Sequence, residues 1–234
     1  MSELSIREPP KILVPIEVLE GNTVPDALVR FLAPADVVVL GYHVLPEQTP
    51  TEQADEQFGE RAREAVDDIA AAFEGEGRAA ETRVAFTHDR DETVERVAEE
   101  VGATATLIPN PTGELDSLLV AIRDAVDTER VADLVATLLG EHGGDVTILA
   151  LPGHESGADA ARETLEARGF DADRIDTASA ADDSVHAIAE HAADFDAVVM
   201  GEGGASLLAR VFGDEAERVA AESFGPVLVV RERE

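Results

Sequence analysis

Residues 196–204 read Asp-Ala-Val-Val-Met-Gly-Glu-Gly-Gly: a short run of apolar residues that passes directly into glycines. The pattern predicts a helix over 207–223, and a second apolar run follows at Pro226, Val227, Leu228, Val229 and Val230. A strand covered on both faces shows continuous β-formers instead of alternation. Strand, glycine loop and helix in that order are how an open parallel sheet presents a loop at its carboxyl edge, where small anionic ligands bind. This stretch therefore predicts a parallel α/β fold whose chain ends as a strand.

The pattern before it is consistent with that reading. A polar arm over 1–10 ends in Pro9-Pro10. Ile12, Leu13, Val14 and Ile16 then predict a first strand, and Val37, Val38, Val39 and Leu40 a second. Between them Thr23 is a candidate helix cap, with Pro25 in the first turn and Leu28, Phe31 and Leu32 on one face. Phe58, Ala62, Val66, Ile69 and Phe73 recur at helical spacing over 53–73. A strand over 81–86, a helix over 91–101 and a strand over 103–108 follow. Strands alternating with helices require a parallel sheet covered on both faces.

At Pro109-Asn110-Pro111-Thr112-Gly113 the pattern changes to a turn-rich connector with no glycine loop and no further helix. A domain boundary is expected here. The second half repeats the first: strand 118–122, helix 128–139, strand 146–151, helix 157–168, strand 174–177, helix 183–192 and strand 197–200. Only this half continues with glycines, a fourth helix and a fifth strand. The expected organisation is an arm over 1–10, an abbreviated α/β domain over 11–113 and a complete one over 114–234.

Composition narrows the function. The 234 residues contain 50 acidic and 18 basic side chains, for a formal net charge of −32, and Lys11 is the only lysine. The acids are interleaved with apolar periodicity, so they read as a solvated surface suited to a salt-rich cytoplasm, where charges are screened. The same field disfavours nucleic acid and anionic membranes. Absence of cysteine excludes disulfides, thiolate nucleophiles and cysteine-ligated metals. No apolar run approaches the roughly 20 residues needed to span a bilayer, so no membrane insertion and a cytoplasmic location are expected.

The order and spacing of these segments resemble two copies of the universal stress protein fold over nearly all of 11–232. The pieces carrying the resemblance are Ile12-Leu13-Val14-Pro15-Ile16, the run from Asp196 to Gly201 with Gly213, and Pro226-Val227-Leu228-Val229-Val230. It implies an adenine nucleotide alpha hydrolase-like, Rossmann-like sheet in tandem form, from a halophilic-archaeon-like source, with a stress-response or regulatory role. The family's nucleotide-binding members carry Gly, two residues, Gly, nine residues, Gly and then Ser or Thr. Here Gly201 and Gly204 supply the first pair, eight residues separate Gly204 from Gly213, and Asp214 stands in place of the hydroxyl residue. An aspartate repels phosphate and donates nothing to it.

The family's nucleotide-binding aspartate after the first strand corresponds to Glu17 in the first half and Arg123 in the second. The resemblance thus implies a degenerate site for ATP with Mg²⁺ at Gly201, Gly204, Gly213 and Arg123, with Glu17 as the first-half counterpart. Glycines permit close backbone approach and leave amides facing an anion, whereas Glu202, Asp214 and Glu215 oppose one. Three readings stay open: an adenine nucleotide, another small or anionic ligand, or a tight turn with no ligand. Arg210 is a second candidate phosphate contact, or a surface ion pair.

Catalysis finds little support. Ser184 and His186 are two apart on a helix and so diverge, Ser156 lacks the strand-to-helix elbow of a nucleophile, and the P-loop lysine is absent. His43 closes a strand at the edge where the family often has histidine, and His88 and Asp89 precede a helix at the same level. These and His142, His154, His186 and His191 show no spacing that compels a metal site. Family members dimerise through their last strands, so the segment 227–230 predicts either a homodimer or, with two units in one chain, an internal pseudo-dimer. A regulatory protein partner is the remaining expectation.

Overall fold

The computed structural model describes residues 9–19, 24–75, 80–110, 113–122, 128–140, 143–181, 185–201 and 225–231. In chain order the elements are β1 (Lys11–Glu17), α1 (Asp26–Leu32), β2 (Asp36–Val44), α2 (Thr51–Gly75), β3 (Ala80–Thr87), α3 (Arg90–Val101) and β4 (Ala105–Ile108). They continue with β5 (Ser117–Ile122), α4 (Thr128–Leu139), β6 (Asp145–Ala150), α5 (Glu155–Ala167), β7 (Ile175–Ser179), α6 (Val185–Ala192), β8 (Ala197–Gly201) and β9 (Val227–Val230). A single 3₁₀ turn at Ala172–Arg174 leads into β7.

The nine strands among the described residues form one sheet in the order β3-β2-β1-β4-β9-β8-β5-β6-β7. Every pairing is parallel except β4 with β9, which is antiparallel in the register Ala105↔Val230 to Ile108↔Val227. The strand order is the same on both sides of that seam, except that the first half has four strands and the second five. β9 thus lies at the middle of the sheet, bonded to β4 on one edge and β8 on the other.

Because successive strand residues point to opposite faces, each apolar run supplies two cores. Ile12, Val14 and Ile16 of β1, Leu118, Val120 and Ile122 of β5, and Leu228 and Val230 of β9 share one continuous buried cluster with α1, α2, α4 and α5. On the other face Leu13, Val38 and Leu40 pack with Val97 and Ala98 of α3. There too, Leu119, Leu149, Val198 and Met200 pack with Ala187, Ile188 and Ala192 of α6. The mostly parallel, doubly covered α/β sheet expected from the sequence is what forms. At α1 the cap differs: Pro25 occupies the N-cap without a side-chain hydrogen bond, and Thr23 lies outside the described residues.

Two devices fix the second half. Asp196, just before β8, accepts hydrogen bonds from Asp116 N–H at 3.1 Å, Ser117 N–H at 2.9 Å and the Ser117 hydroxyl at 2.8 Å. This ties the starts of β8 and β5 together. Gly225, at the entry to β9, runs so close to Asp196 that a Cβ would sit 1.7 Å from its carbonyl oxygen. Only glycine permits that approach.

Candidate functional site

In an open parallel sheet the ligand crevice lies at the carboxyl ends of two neighbouring strands whose connections leave in opposite directions. This sheet has two such points, between β1 and β4 and between β5 and β8. The antiparallel seam sends the carboxyl ends of the two halves to opposite ends of the molecule. Glu17, the last residue of β1, and Gly201, the last of β8, therefore belong to separate edges and cannot share one ligand. Arg123, Gly204 and Gly213 lie outside the described residues, as do Glu202, Arg210, Asp214 and Glu215. The chain order nonetheless makes Arg123 follow β5 and the glycines follow β8, the two strands that flank the second crevice.

The first edge is built from Glu17, Tyr42, His43 and the turn 87–90. The register pairs Glu17 with Tyr42 across β1 and β2. The Arg90 guanidinium lies 5.6 Å from the centroid of the Tyr42 ring, a cation–π contact. Burial pushes the Tyr42 hydroxyl above its ordinary value, Arg90 opposes the shift, and the Glu17 carboxylate reinforces it. His43 packs edge-on to Phe86 at 6.4 Å between centroids, and its Nδ1 is buried without a hydrogen-bond partner among the described residues. His88 meets the Thr49 carbonyl through Nε2 at 3.0 Å.

Asp89 caps α3, accepting from Glu92 N–H at 2.9 Å. Thr87 and Thr93 share a hydroxyl bond of 2.7 Å beneath it. After β4, Pro109 and Asn110 replace a glycine loop, and Asn110 Nδ2 donates to the Gly225 carbonyl at 3.3 Å.

At the second edge, β8 closes on buried Gly201, which pairs in register with Val230 of β9. Arg231 follows directly, donating to Glu95 of α3 at 2.8 Å, with its side chain 14% exposed. This ion pair joins the second half's carboxyl edge to the first half. The sequence pattern has no means of pairing them, since 136 positions separate the two residues. After β6, Gly153 has a left-handed φ of 85° and its N–H donates to the Glu155 carboxylate at 3.2 Å. That carboxyl is held below its ordinary range first by its own backbone N–H and then by that of Gly153. Gly157 brings α5 against the end of β5, where a Cβ would meet Ile122 Cγ2 at 2.9 Å.

The remaining candidates are placed without converging. His154 is the N-cap residue of α5 without a side-chain cap bond. His191 Nδ1 meets the Ala187 carbonyl one turn back on α6. His142, Ser184 and the side chain of His186 lie outside the described residues. No group of three or more His, Asp or Glu among the described residues could hold a metal, and no described helix is long and apolar enough to cross a membrane.

Comparison with known proteins bears on the same region. Residues 150–231 match the model of the universal stress protein family, a span that runs from the end of β6 through Gly201 to Arg231. A universal stress protein from Archaeoglobus fulgidus superposes with a TM-score of 0.63 at 16% identity, covering 97% of this chain and 98% of that one. A putative universal stress protein from Pseudomonas aeruginosa gives a TM-score of 0.52 at 14% identity, covering 95% and 93%. No curated protein matches the sequence. The similarity to universal stress proteins is thus one of sequence over 150–231 and one of fold over nearly the whole chain.

Proposed function

We propose that this universal-stress-protein-like chain is a regulatory or stress-response protein that senses an adenine nucleotide with Mg²⁺ at the edge between β5 and β8. The observation that carries the reading is the position of Gly201. It ends a buried strand at a topological switch point, inside the matched span, with Gly204 and Gly213 following it in the chain and Arg123 following β5. At such a point the glycines would let backbone amides approach an anion, and Arg123 would supply the positive charge. The reading includes a tandem organisation, 11–113 and 114–234, in which the first half's Glu17 edge has lost the ligand role. On this reading the role is binding and regulation, not catalysis.

A second reading has its own observation. One backbone donor at each edge is already taken by a carboxylate of the chain, Glu92 N–H by Asp89 and Gly153 N–H by Glu155. That favours a scaffold that modulates a transporter or stress pathway through a protein partner without nucleotide.

Calorimetric titration with ATP and Mg²⁺ in molar KCl, beside Arg123→Ala and Gly204→Val, separates the two. Binding at or below about 10 μM, roughly 7 kcal/mol, that weakens in both variants is the expected result. No heat and no thermal shift with nucleotide would remove the first reading and leave the scaffold.

A further inference from the structure

Among the described residues the nine-stranded sheet has two outer strands, β3 and β7, and in each an arginine covers a carbonyl that no described strand takes. Leu45 N–H donates to Thr87 O at 2.7 Å, so Thr87 and every second residue before it face β2, which leaves Thr82 facing outward. Arg83 Nη1 donates to that Thr82 carbonyl at 3.0 Å, and its guanidinium also pairs with Glu81. On the other side Ala180 N–H donates to Ala150 O at 3.0 Å, so Ile175 and Thr177 face outward from β7. Arg162, reaching from α5, donates through Nη1 to Ile175 O at 2.9 Å and contacts Thr177 Oγ1 at 3.4 Å. Its Nη2 takes Ala172 O at 3.2 Å, and Glu166 holds its Nε at 3.0 Å.

We infer that Arg83 and Arg162 are edge guards that keep a second copy of this chain from adding to β3 or β7, so that the protein is a monomer. An outer strand offers unpaired N–H and C=O groups as a template for another strand. A guanidinium bonded to an outward carbonyl both removes an acceptor and stands in the path of an incoming strand. The third edge through which two α/β units could join is already consumed, because β9 is bonded on both sides within the chain. Net charge alone does not protect the outer edges in concentrated salt. The Debye length falls to about 3 Å at 1 M, so repulsion between copies each carrying −32 is screened at the distance of strand pairing. Local blocking is what remains. The inference does not depend on nucleotide binding.

Size-exclusion chromatography with light scattering, in molar KCl over a wide range of protein concentration, tests it. The parent protein is expected to hold a mass of 24.8 kDa throughout. Arg83→Ala and Arg162→Ala, each checked as folded by circular dichroism, are expected to move toward twice that mass as concentration rises. Adding Thr82→Pro to Arg83→Ala is expected to restore the monomer, since the outward Thr82 N–H makes no ladder bond to lose and proline blocks that edge. A dimeric parent, folded single variants that stay monomeric, or association that Thr82→Pro fails to reverse would each overturn the inference.

Discussion

Tyr42 is the one tyrosine of a chain without tryptophan, so a single phenol reports on the first edge. Burial, the leading cause, raises its pKa above the ordinary value of 10.0, with Glu17 adding to the rise and Arg90 reducing it. The folded state therefore favours the neutral phenol. Its contribution to stability is whole below the unfolded pKa near 10 and is lost as pH rises through the higher folded value. Tyrosinate absorbance is expected to titrate above its value in the unfolded chain. The alkaline limb of the stability curve is expected to flatten in Tyr42→Phe, and an unshifted absorbance titration would contradict burial as the dominant influence on this phenol. Neither the burial nor the stacking of Arg90 is written in the local sequence, because 48 residues separate the partners and their meeting depends on β2 and β3 lying side by side.

At the scale of elements, strands and helices were largely legible because apolar spacing differs between them. The helix over 128–139 forms as read. The strand over 103–108 is shorter, beginning at Ala105, because the Ala103 N–H still bonds back to Ala98 O in the turn out of α3. The helix over 157–168 begins earlier, at Glu155, whose carboxylate braces the Gly153 turn. The helix expected over 207–223 lies outside the described residues.

What spacing does not show is the bond between elements, and Asp196 is the clearest case. Removing its carboxylate leaves the amides of Asp116 and Ser117 without their acceptor at the join of β5 and β8. Asp196→Ala is expected to lower unfolding free energy by about 2–3 kcal/mol, read by chemical denaturation in constant molar salt. Asp196→Asn, which keeps one acceptor oxygen, is expected to cost less. Equal stability of the alanine variant would show that the bonds are replaceable by water.

At the scale of the molecule, one buried cluster runs through both halves, from Ile12 and Leu28 to Leu118, Leu134 and Leu228. Because that cluster is continuous, calorimetry is expected to show one cooperative transition, with calorimetric and van't Hoff enthalpies in agreement. Two separated transitions would make the halves independent domains. Arg231 on Glu95, Asn110 on Gly225 and the β4–β9 ladder all cross the seam and favour the single transition. The class of fold, the order of the described elements and the strand that ends on Gly201 are legible in the residue pattern, because burial on both faces of a parallel sheet imposes a periodicity that can be read residue by residue. The antiparallel course of β9 beside β4 at the centre of one sheet, which puts Glu17 and Gly201 at opposite edges, comes from tertiary pairing instead. A four-residue apolar strand has the same local pattern whether its second edge meets solvent, another copy or the other half of its own chain. Strand direction is set by the partner it pairs with, which no local run of residues encodes.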